Sequence, residues 1–219
     1  MKKFFLSPFF APIFMIIFLI SMFILSILSS DILFFYDEGG GLDYITYVCY
    51  VIAFFAIFYY KKDFNDHLID FYCYVFLLTC ALLREMGIQH YLTSTDTTAF
   101  KIRFFTNPNN PIIEKILSFC LIIILLSVII YLLKKYLVKI IKGFFKFDTL
   151  YWTIAMFGGI GIISKIADRF PSNYHKSTGY YLEENTRILL SLIEEGGEAL
   201  LPLLLVIGLI QYHKLKQHL

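Results

Sequence analysis

Three carboxylates fall within five residues of one apolar segment: Glu194, Glu195 and Glu198, in the string LIEEGGEALLP. On a helix, Glu194 and Glu198 are spaced i, i+4, and Glu195 and Glu198 are spaced i, i+3, so Glu198 can neighbour either one. Like charges this close cannot all stay ionised without help. Two kinds of chemistry use such a set. In a water-poor cavity, carboxyl groups serve as general acids and bases, or bind a divalent metal together with an imidazole. Alternatively they bind and relay cations or protons across a membrane. Gly196 and Gly197 remove side chains beside them, letting a helix or a substrate approach closely. Pro202 cannot donate to the Glu198 carbonyl, so a kink and a free acceptor are expected just below the cluster.

The groups that could assist lie at the ends of other apolar segments. Arg84 and Glu85 close one, with His90 five residues beyond Glu85; Lys165, Asp168 and Arg169 close another. Arg187 stands two turns above Glu194 on the same helix face, and Lys101 and Arg103 belong to the basic aromatic string KIRFF. Asp37, Glu38 and Asp43 surround the glycines of YDEGGGLDY. The catalytic candidates are therefore Glu85, His90, Glu194, Glu195 and Glu198. Arg84, Lys101, Arg103, Asp168, Arg169 and Arg187 are candidates for holding substrate. A divalent metal ion, the one cofactor this set suggests, would sit at His90, Glu195 and Glu198, although no H-E-x-x-H pattern is present. Plainer roles compete: Arg84 and Glu85 as an interfacial helix end, His90 as an interfacial hydrogen bonder, Lys165 and Asp168 snorkelling to headgroups. Gly158, Gly159 and Gly161 read as a small-residue face for close helix packing.

The elements that must position these residues are membrane spans. The chain has 219 residues, 58% of them hydrophobic and only 16% charged, against about a quarter charged in a soluble domain. Its mean hydropathy is +0.71. No charged side chain lies between Lys3 and Asp31, nor within 44–60, 116–133 or 149–164. Crossing the hydrocarbon takes about 20 mostly apolar residues, so four segments qualify. Two more, 68–88 and 186–212, are long enough but carry Asp70, Arg84 and Glu85 in the first and Arg187 with the three glutamates in the second. Charge inside a bilayer costs about 2.5 to 3.5 kcal/mol per residue on insertion scales, so these two segments carry it for a reason. The expected fold is all-α: a polytopic transmembrane bundle of about six spans, forming a single integral membrane domain over 1–219.

Basic residues near span ends stay on the cytoplasmic side. With the amino terminus inside, Lys2, Lys3, Lys61, Lys62, Lys134, Lys135, Lys139, Lys142, Lys146, Lys214 and Lys216 share one face, with only four acids. Both termini are then cytoplasmic, and the candidate site residues gather toward the opposite face. The first apolar run is nearly twice the 7 to 15 residues of a secretory h-region, which favours an uncleaved anchor. The stretch 134–146 reads as an interfacial connector on anionic lipid or an ordinary positive-inside loop. The segments 91–111 and 167–185 read as outer loops, suited to lie at headgroup level as a lid or to serve as connectors. All four cysteines fall inside spans, where thiols are packing residues. The basic residues do not cluster as on a nucleic-acid-binding surface, so membrane lipids are the expected partners and nucleic acid is not.

The strings LREMGIQHYLTS, KIRFF followed by IIEKI, and LIEEGGEALL resemble a group of uncharacterised bacterial multi-span inner-membrane proteins. That group pairs an Arg-Glu and a following His at one span end with Glu-Glu-x-x-Glu in the last span. The resemblance covers the second span to the carboxyl end. It implies the bacterial inner membrane and brings no reaction. Seven-span ceramidase-like hydrolases are set apart, since no H-x-x-x-H occurs near the end of this chain.

Three readings follow. The first is a membrane-embedded enzyme acting on a lipid or lipid-linked substrate. The second is a cation- or proton-coupled transporter or ion-binding subunit, disfavoured by the lack of internal repeats and by inner helix halves almost devoid of polar residues. A purely structural envelope subunit, the third, would not need the glutamates.

Overall fold

The computed structural model describes residues 2–29, 31–36, 39–88, 93–94 and 100–217, and among these there are helices and turns but no strand. Each of the six expected spans is a helix: α2 (Phe10–Leu28), α4 (Gly41–Tyr59), α5 (Leu68–Glu85), α7 (Ile112–Phe145), α8 (Thr149–Thr178) and α9 (Glu184–Lys216). Short helices α1 (Lys2–Phe5), α3 (Ile32–Tyr36) and α6 (Ile102–Thr106) precede or join them, and a 3-10 turn covers Lys61–His67. By length and composition, Phe10–Leu28, Phe34–Tyr59, Ile112–Phe145 and Thr149–Thr178 can each cross a membrane. The large apolar side chains these segments leave exposed, such as Leu28, Phe55 and Ile112, would form an aggregating surface in water. They suit a lipid surround, and the long apolar helices are compatible with an integral membrane protein.

Two helices outrun their expected ends. α7 continues for 34 residues and absorbs nearly all of the lysine-rich stretch 134–146. Nothing breaks its helical pattern before Gly143, and its lysines are good helix formers. α8 continues past Ser164 to Thr178, so most of the expected outer loop 167–185 is helix. Side chains one turn apart support that extension: Lys165 pairs with Asp168, and Phe170 stacks on Tyr174. It stops at Gly179, whose φ of 76° gives the left-handed cap that glycine adopts without strain. Both helices with an internal proline, α8 at Pro171 and α9 at Pro202, run unbroken through it.

The chain divides into two compact units, 1–63 with 139–219 and 64–138, the second boundary falling within α7. In the first unit α9 is central and packs against α8, α4, α2 and α3. One layer of this packing joins Ala11, Ile160, Leu200, Leu204 and Ile207. Another joins Met22, Tyr36, Leu42, Leu192 and Ala199. Near the cytoplasm-proximal end expected from the lysines, buried Gln211 accepts from the Thr153 hydroxyl at 2.7 Å and donates to the Phe5 carbonyl at 3.2 Å. In the second unit, Phe104 of α6 is fully buried, and the Asn110 amide donates to its carbonyl at 2.7 Å. Lys115 donates to the Asn107 carbonyl at 2.7 Å, which fastens the NPNNP turn to the start of α7.

Candidate functional site

Glu194, Glu195 and Glu198 lie about 15 to 21 Å along α9 from its first residue, at 1.5 Å per residue. The helix turns different sides to its neighbours. A Cβ on Gly197 would lie 2.0 Å from Ser164 Oγ and 3.2 Å from Ile160 of α8, so that approach exists only because residue 197 is glycine. Ser164 also donates to the Ile193 carbonyl at 3.2 Å. On another side, a Cβ on Gly196 would lie 2.9 Å from Leu19 of α2. Leu192 and Ala199 face Tyr36 and Leu42.

At about 100° per residue, Glu195 falls at the edge of that last side, about 40° beyond Ala199. Glu194 and Glu198, one turn apart, share the flank between the α8 side and the α4 side. All three are half-buried, and none is without an interacting neighbour. The two glycines thus hold α9 tightly against α8 and α2, and the carboxylates fan out over the remaining arc. Such an arrangement can bind a cation or exchange protons with a bound molecule.

The companions expected from the sequence are distributed as follows. Lys165 and Asp168 form an ion pair. Arg169 lies five residues after the α9-facing Ser164, about 140° away around α8, and lines an open groove with Ile162, Ile166 and Phe170. Arg187 is exposed on the first turns of α9. Arg84 and Glu85 belong to the second unit and approach each other at 3.9 Å, the arginine half-exposed and the glutamate largely covered. Lys101 and Arg103 are exposed at α6. Among the described residues, no three His, Cys, Asp or Glu side chains are grouped so as to hold a metal ion. His90 lies outside the described residues, as do Asp37 and Glu38. All four cysteines are free thiols.

Two polar clusters were not singled out from the sequence. In the second unit, Asp70 is 1% exposed and accepts from Lys135 Nζ at 2.8 and 2.7 Å, from the Tyr131 hydroxyl at 2.9 Å, and from the Tyr136 hydroxyl. Lys135 also lies over the Tyr131 and Tyr136 rings. The available signal was Tyr131, Lys135 and Tyr136 closing an otherwise apolar run, with Asp70 the lone acid at the start of α5. In the first unit, His213 Nδ1 meets Asp63 Oδ2 at 2.7 Å while the Gln217 amide donates to Nε2 at 2.8 Å. In that amide orientation Nδ1 carries the proton. Tyr60 packs on the imidazole, and Lys216 donates to the Asp63 carbonyl at 3.0 Å. Both clusters join residues more than 60 positions apart, which no local spacing announces.

Compared with known protein families, with curated proteins and with solved structures, the chain matches none.

Proposed function

We propose that this protein is a six-span bacterial inner-membrane protein, both termini cytoplasmic, whose α9 carboxylates act on a lipid or lipid-linked substrate from the outer side. One observation carries the reading: Glu194, Glu195 and Glu198 stand on the central helix of the first unit, beside glycines that leave no room for a side chain. Three carboxylates within about 6 Å of helix length are costly in a membrane protein, and packing alone would favour apolar residues there. Helices α2, α4, α5, α7, α8 and α9 coincide with the six expected spans, and four of these segments are long and apolar enough to cross a membrane, which supports a multi-span chain. Glu85 and His90 remain further catalytic candidates, and a divalent metal the candidate cofactor.

The test compares the membrane lipids of cells with and without the protein by mass spectrometry. On this reading a lipid or lipid-linked species changes in abundance, wild-type protein restores it, and Glu195→Gln or Glu198→Gln does not. Restoration by both variants would end the enzyme reading. The transporter reading keeps one supporting observation, the Asp70–Lys135 pair, whose carboxylate is 1% exposed at the end of its helix, since enclosed ionisable pairs mark cation and proton paths. It ranks second because Lys135, Tyr131 and Tyr136 already occupy the Asp70 carboxylate.

A further inference from the structure

The side of α8 turned away from α9 carries an open groove of about 480 Å³ that the glutamate site does not use. Ile162, Ile166 and Phe170 give it an apolar floor and are exposed by 65%, 60% and 45%. Lys165, Arg169 and Asn173, each one turn beyond the last, run along it. Lys165 is engaged by Asp168. Arg169 and Asn173, by contrast, make no hydrogen bond or ion pair among the described residues.

Gly161 is the lining residue of the groove nearest Thr149, and one turn beyond it Gly158 is exposed. A Cβ there would meet nothing within 4 Å. The close helix packing expected of Gly158 and Gly159 is therefore not what the structure uses them for; of the three glycines only Gly161 meets a neighbour, Leu201 at 3.7 Å.

Height along the helix says what could lie in this groove. α8 has no charged residue from Thr149 to Ser164. At 1.5 Å per residue, Lys165 stands about 24 Å and Arg169 about 30 Å from Thr149, and the hydrocarbon core is about 30 Å thick. A spanning α8 thus delivers the Arg169 guanidinium to the level of the lipid phosphates, above about 12 Å of groove reaching down to Gly161. Guanidinium binds phosphate oxygens through paired parallel hydrogen bonds, and the Asn173 amide adds donors one turn higher. Asp168 offsets Lys165, so the groove presents one net positive charge, which matches a phosphodiester that carries no amine of its own.

We infer that this face of α8 is a binding site for one anionic phospholipid, its phosphate on Arg169 and Asn173 and an acyl chain along Ile166, Ile162 and Gly161. Free phosphate would leave the apolar floor uncovered. A zwitterionic lipid would bring a second cation beside Arg169. Apart from Gly161 at its edge, the groove lies on the side of α8 turned away from α9, so this site and the proposed role of the glutamates stand or fall separately.

The test releases intact protein from nanodiscs containing equal amounts of phosphatidylglycerol and phosphatidylcholine and weighs the retained lipid by native mass spectrometry. Wild-type protein should keep a phosphatidylglycerol in preference to phosphatidylcholine. Arg169→Gln, at an exposed side chain whose loss breaks no contact, should lower that retention roughly tenfold, the effect of one lost charge-assisted contact. Lys62→Gln removes an exposed cation elsewhere and should leave it unchanged. Equal retention by Arg169→Gln, equal retention of phosphatidylcholine, or protein dimers in place of lipid adducts would each overturn the assignment.

Discussion

Lys135 reaches both carboxylate oxygens of Asp70, at 2.8 and 2.7 Å, and so ties α7 to the first turn of α5 within the second unit. Asp70 is almost fully enclosed, and two tyrosine hydroxyls complete its hydrogen bonding. Breaking a buried pair from one side strands the other charge, at about 3 to 5 kcal/mol. Asp70→Asn and Lys135→Met should each lower the melting temperature in detergent clearly, and Asp70→Leu with Lys135→Met should recover much of the loss. Single variants that melt with the wild type would show the pair to be dispensable.

The α9 glutamates should behave in the opposite way. If Glu195 and Glu198 serve chemistry, their crowding imposes a stability cost, and glutamine keeps their shape while removing the charge. Glu195→Gln and Glu198→Gln should melt at or above the wild-type temperature while failing to restore the lipid profile. A stability loss of about 3 to 5 kcal/mol in both would instead mark structural ion pairs. A metal-dependent rise in melting temperature, present in the wild type and lost in both, would support a bound divalent ion.

Glycines in neighbouring helices should differ sharply on substitution. Gly197→Ala places a methyl 2.0 Å from Ser164 Oγ and should destabilise by about 1 to 3 kcal/mol, through overpacking. Gly158→Ala meets open space and should be neutral or stabilise by roughly 0.5 to 1 kcal/mol through helix propensity. Thermal melting of the two variants side by side checks this; similar losses in both would contradict the packing described here.

Topology is open to a direct check. Reporters inserted at Lys61 or fused after Leu219 should give the cytoplasmic signal, and reporters at Asn107 or Gly179 the external one. An external signal after Leu219 would remove the six-span reading and the outward orientation of the glutamates with it.

The sequence alone determined that this chain carries membrane-span-like helices and where their apolar cores lie, though not where α7 and α8 end. Uncharged runs near 20 residues record transfer free energy and length, and both are properties of a linear segment. It also located the Glu194, Glu195 and Glu198 cluster, because spacing along one helix sets which side chains are neighbours. Only tertiary structure decided what each helix face meets. Lys135, one of eleven lysines counted toward orientation, turned out to be the partner of Asp70. Arg169, grouped in the sequence with the carboxylates, points into a groove on the far side of α8 from α9. Gly197 and Gly158, alike in sequence, proved to be a tight contact and an open surface. Those outcomes depend on how each helix is rotated about its axis and which neighbour it meets. Many weak packing contacts among residues distant in sequence set that rotation together, and none of them leaves a local pattern to read.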